Sequence, residues 1–141
     1  MNERNVNLGL LVLRIGLGSM FIFHGLPKLQ GGPAGWERLG HSMEYVGISF
    51  LPIFWGFMAM VAEVFGGLCL IAGIGVRVAS ALMLFTMMIA ATANLTMGYG
   101  LEGIVEIIEV STALLTLLIT GGGRFTWREV FKSRLNSSIK A

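Results

Sequence analysis

The chain has 141 residues, 55% hydrophobic and 13% charged, with a formal net charge of +2. That is too apolar for an ordinary soluble domain, and the charge is too small and its Lys and Arg too scattered to point to nucleic acid. Each membrane span takes about 20 mainly apolar residues, so about four spans and short connections use most of the chain and leave little for a soluble catalytic domain.

The first apolar stretch runs from about residue 8 to 26, where Pro27 and the Gly31-Gly32-Pro33 cluster stop it. Arg14 interrupts its apolar core and no small-x-small cleavage site follows, so it reads as a retained helix and not as a signal peptide. Residues 31–50 are less apolar. There Trp36, Leu39, Met43 and Val46 recur at helical spacing, with Glu37, Arg38, His41 and Glu44 on other faces, as in a short helix lying at the bilayer interface.

The second span is expected over about 51–74, with Pro52 in its first turn, and Arg77 marks the turn that follows. The third covers about 78–97 and the fourth 104–120, separated by the Gly98-Tyr99-Gly100 break and Glu102. After Gly121-Gly122-Gly123 the tail carries Arg124, Arg128, Lys132, Arg134 and Lys140, interleaved with Phe125, Trp127 and Phe131, a pattern that suits a helix on the bilayer surface. The expected architecture is an all-α, four-helix membrane bundle forming one domain over 1–141. Arg4, Arg77 and the basic tail outweigh Lys28 and Arg38, which places both termini in the cytoplasm.

A charge near the bilayer centre is costly, so an ionisable residue within a span faces the interior and has a partner. Arg14 and Glu63 sit near mid-depth of their spans, and an ion pair between adjacent antiparallel helices is expected, either as a structural lock or as part of a site. Gly56, Ala59, Gly66 and Gly67 surround Glu63 with small residues, which let helices approach closely in lipid.

A second polar group is His24, Asn94, Glu106 and Glu109, with Thr112, Thr116 and Thr120 continuing the stripe of the glutamates, so an outward-opening polar cavity is expected. His24, Glu106 and Glu109 form no recognised metal motif, and Met83, Met87, Met88 and Met97 read as packing residues, so no metal site is expected. Cys69 is the sole cysteine, which excludes a disulfide or C-x-x-C redox pair within one chain.

Arg14-x-Gly16, Phe23-His24-Gly25-x-x-Lys28, Glu63-x-x-Gly66-Gly67 and Gly73-x-Gly75-x-Arg77 occur in order, followed by an acidic start to the fourth span and Gly121-Gly122-Gly123-Arg124. Over roughly residues 8–128 this set resembles the DoxX family of small bacterial membrane proteins. Family members usually carry a proline between the last glycines and a serine and aspartate after the arginine, where this chain has Gly122 and Thr126-Trp127. The resemblance implies a four-helix bundle in the bacterial plasma membrane. It also implies association with quinone, thiosulfate or thiol-stress redox systems.

The candidate intramembrane site is therefore Arg14, His24, Lys28, Glu63, Asn94, Glu106 and Glu109, with quinone as the candidate cofactor. No flavin, nucleotide or haem fingerprint is present, so electrons would need a bound quinone or a partner redox subunit. The alternatives are a scaffold that holds soluble enzymes through the basic tail, or a small transporter subunit acting as a homo-oligomer.

Overall fold

The computed structural model describes residues 2–98 and 100–127. It is all-helical: α1 (Glu3–Gln30), α2 (Gly32–Gly40), a 3-10 turn (His41–Val46), α3 (Pro52–Ala72), α4 (Val76–Met97) and α5 (Leu101–Thr120). Four of these, α1, α3, α4 and α5, are long and apolar enough to cross a membrane. Residues 128–141, which carry most of the expected surface tail, lie outside the described residues.

The first helix is longer than its apolar run. Asn2 caps it, accepting from the Arg4 N–H at 3.2 Å, and it continues through Pro27 to Gln30. A proline so near the end interrupts few helical hydrogen bonds, and the Pro27 carbonyl still accepts from the Gly31 N–H at 2.9 Å. The extra turn makes Lys28 a helical residue on the same face as the buried Arg14, Leu17, Phe21 and Gly25. That spacing of three and four is the inward stripe of a bundle helix.

Glycines set how α1 and α3 meet. A Cβ on Gly18 would lie 2.6 Å from the Gly67 carbonyl oxygen, and one on Gly67 would lie 2.6 Å from that of Gly18. Further along, a Cβ on Gly25 would lie 3.2 Å from the Val64 backbone nitrogen. The two helices are thus antiparallel and in backbone contact, with residue 18 opposite 67–71 and residue 25 opposite 63–64. Leu17, Phe21, Leu70, Ala79, Met83, Leu114 and Leu117 form the buried core beside this seam.

The segment between α1 and α3 is not a free interfacial helix. Gly40 and Gly56 let α2 sit directly on the start of α3, against the backbones of Pro52 and Trp36. Trp36 fixes the join twice: its indole N–H donates to the Lys28 carbonyl at 2.8 Å, and its ring meets Phe57 edge-on with centroids 5.0 Å apart. Met43, in the 3-10 turn, is buried, while Glu37, Arg38, His41 and Glu44 are exposed as expected. The segment caps the end of the bundle where α1 ends and α3 begins.

Candidate functional site

Under that cap, between α1, α3, α4 and α5, lies a cavity of about 640 Å³. Its walls are mostly apolar, with Met20, Phe21, Met58 and Ile107 among them, and the cap contributes Leu39, Ser42 and Met43. A small polar set interrupts these walls: His24, Lys28, Glu63, Thr86, Asn94 and Glu106.

Lys28 and Glu63 are an ion pair, Nζ to Oε1, with the carboxylate almost fully buried and the ammonium partly so. The expected Arg14–Glu63 pair does not form. The register of α1 and α3 sets Glu63 against residue 25, eleven residues beyond Arg14, a separation of about 17 Å along the helices. The long side chain of Lys28, one turn further on, reaches Glu63 instead. Two buried oxygens in the cavity wall, Glu63 Oε2 and Asn94 Oδ1, have no hydrogen-bond partner among the described residues. Buried polar atoms without partners are uncommon, and here both belong to one cavity.

The other expected site residues divide. His24 and Glu106 line the cavity, whereas Glu109 is exposed but lies outside its lining. Residues three apart on a helix differ by about 60° in direction, enough to separate the two glutamates. The threonine stripe likewise does not line this cavity. Thr112, Thr116 and Thr120 donate their hydroxyls to the carbonyls of Ile108, Thr112 and Thr116, at 2.8, 3.0 and 2.6 Å, so the helix satisfies them itself. Among the described residues no three His, Cys, Asp or Glu side chains gather as metal ligands. Met83 is fully buried against Gly66, whereas Met88 and Met97 are half-exposed. Cys69 packs beside the core.

Sequence reading missed the cap. Its signal was present in Gly40 and Gly56, two glycines whose missing side chains make room for another backbone.

Arg14 belongs to the opposite end of the bundle, where α1 begins and α5 ends. It is fully buried, and its Nη2 donates to the Phe125 carbonyl at 2.7 Å. The guanidinium occupies the space a side chain at Gly73 would fill, and Gly73 itself has φ +72, as the left-handed cap of α3. Gly73→Ala is therefore expected to cost about 1–2 kcal/mol through the backbone alone. Displacement of Arg14 should add to that. Gly75→Ala, at φ +55 with nothing within 4 Å of the added Cβ, should carry only the backbone part. Equal losses in thermal unfolding of the two variants would show that Arg14 is not held against Gly73.

The DoxX family model matches residues 9–99, from early α1 to just beyond α4, a stretch that holds Arg14, Lys28, Glu63 and Asn94. A Bacillus subtilis (strain 168) protein named "Putative oxidoreductase CatD" is 26% identical over 141 residues, spanning 99% of this chain and 99% of that protein. No solved structure matches the chain. With a family match over most of its length and four helices able to span a membrane, the chain belongs to the DoxX family of membrane proteins.

Proposed function

We propose that this chain is the membrane component of a redox system and that its capped cavity binds a quinone-like ring. One observation carries this reading: within a mostly apolar cavity of about 640 Å³, Lys28 pairs with a buried Glu63 whose second oxygen lacks a partner among the described residues. The size falls in the usual range for small-ligand sites, and apolar walls with a few polar groups suit a flat ring bearing carbonyl oxygens. Lys28 would donate a hydrogen bond to such an oxygen, Glu63 would hold or hand over a proton, and the cap of α2 and the 3-10 turn would limit water. When bound, a quinone supplies the capacity to take up two electrons and two protons. The word oxidoreductase in the name of the Bacillus relative fits this reading.

The electrons would come from a partner redox subunit or soluble enzyme, since the sequence has no cofactor fingerprint of its own. The protein would lie in the bacterial plasma membrane with both termini in the cytoplasm, the end where Arg4, Arg77 and Arg124 outnumber the Lys28 and Arg38 of the other.

The test is native mass spectrometry with quinone extraction on protein purified gently from its own membranes, beside Glu63→Gln. A stoichiometric quinone that is lost in the variant supports the site. An empty wild-type protein, together with unchanged quinone-linked activity in cells carrying Glu63→Gln, would sink it. An empty protein that brings down soluble enzymes would favour the scaffold reading.

A further inference from the structure

Among the described residues the buried Arg14 has no counter-charge. Its exposure is 0%, Phe125 supplies one neutral acceptor, and Nε and Nη1 have no partner among the described residues. A guanidinium in a low-dielectric interior is strongly unfavourable unless it is paired and hydrogen-bonded. No carboxylate of the described residues meets that need. Glu63 is at the other end of the α1–α3 seam and bound to Lys28, while Glu3 is exposed and pairs with Arg124 at 3.4 Å.

Beside Arg14 is a second cavity, of about 760 Å³, at the end of the bundle where α1 begins and α5 ends. Gly73 and Gly122 line it, and Arg14 lies against both: a Cβ on Gly122 would be 3.1 Å from Nη1. Arg77 and Arg124 stand in its wall against one carboxylate, Glu3, and the Arg14 guanidinium lies directly behind the two glycines. Arg77 is held in place by its bond to the Ile119 carbonyl at 3.2 Å. The N–H groups of Gly122 and Gly123 have no acceptor among the described residues. The first turn of α4 also opens into the cavity, adding the positive end of a helix.

We propose that this cavity is a binding site for a phosphate-type oxyanion, held by Arg77, Arg124 and the backbone N–H groups, whose negative charge balances the Arg14 guanidinium behind Gly73 and Gly122. Such an anion has several acceptor oxygens, which forked guanidiniums and free backbone N–H groups match well. The site lies where α3, α4 and α5 reach their ends, the depth of lipid headgroups, so the oxyanion comes either from an anionic lipid or from free phosphate. This site is independent of the quinone reading, being at the other end of the bundle.

The experiment uses the full chain, delipidated in phosphate-free maltoside micelles and ¹⁵N-labelled. Inorganic phosphate is titrated in one arm and phosphatidylglycerol in another, with chloride at matched ionic strength as control. Thermal stability and the Gly122 and Gly123 amide shifts are read. The expected result is a saturable shift of both amides with a rise in melting temperature. In Arg77→Gln, a rim change that leaves Arg14 in place, apparent affinity should fall about tenfold or more. Saturation by phosphate identifies the free anion as sufficient, and a response to phosphatidylglycerol alone identifies the lipid headgroup. No saturable shift in either arm, an equal response to chloride, or unchanged affinity in Arg77→Gln would overturn the proposal.

Discussion

Replacing Lys28 with methionine should destabilise the folded protein by about 3 kcal/mol or more, because it leaves the buried Glu63 carboxylate without its ion partner. The double replacement Lys28→Met with Glu63→Leu should restore most of that loss. Two well-packed apolar side chains remove the desolvation cost that the charges carried. Glu63→Gln should fall between, since its amide oxygen still accepts from the ammonium. Unfolding in mixed micelles, titrated with a denaturing detergent, measures all four proteins on one scale. A double variant less stable than Lys28→Met would mean that the cavity needs the charges themselves. A parallel cycle between Arg14 and Glu63 should be additive within about 0.5 kcal/mol, because those residues sit at opposite ends of the seam and share no partner.

The second large effect is expected at Gly18. A leucine there would meet the Gly67 carbonyl and the Ile71 side chain, so α1 and α3 must move apart. A cost of about 3 kcal/mol is expected, since neighbouring backbone cannot step aside as a flexible side chain can. The Lys28–Glu63 pair should weaken with it, because the same seam brings those residues level. Gly16→Leu is the matched control, being two residues away on the same helix but with nothing within 4 Å of an added Cβ. It should change stability by less than about 0.5 kcal/mol. Equal losses from the two changes would mean that the glycine seam does not hold the helices together.

The two changes probe different layers of one device. Small residues fix the register of α1 against α3, and the register chooses which basic residue meets Glu63. A quinone-like ligand would bind beside that pair, so loss of the ligand in Gly18→Leu as well as in Glu63→Gln would show that site and seam act together.

The helical class and the four spans were legible in the sequence because apolar runs of sufficient length, punctuated by glycine and proline, have few other solutions in lipid. The inward direction of Glu63 was legible too, from the small residues at helical spacing around it. His24, Asn94 and Glu106 were named from their polarity within apolar segments and Lys28 from the family-like motif that begins at Phe23, and they come to line one cavity. What a one-dimensional reading could not supply was the relative height of two helices. Counting Arg14 and Glu63 to mid-depth assumed equal helix lengths, whereas α1 begins near Glu3, passes through Pro27 and carries Lys28 to the level of Glu63. Backbone contact at Gly18 and Gly67 decides that height to within a turn, and it depends on both helices at once. The same holds for the cap, whose place over the cavity is set by Gly40 and Gly56 against another element's backbone, and for Glu106 and Glu109, which one helical step of three residues sends in different directions. Sequence alone determined which segments are long and apolar enough to cross a membrane. Packing, which joins residues far apart in the chain, decided which of them meet.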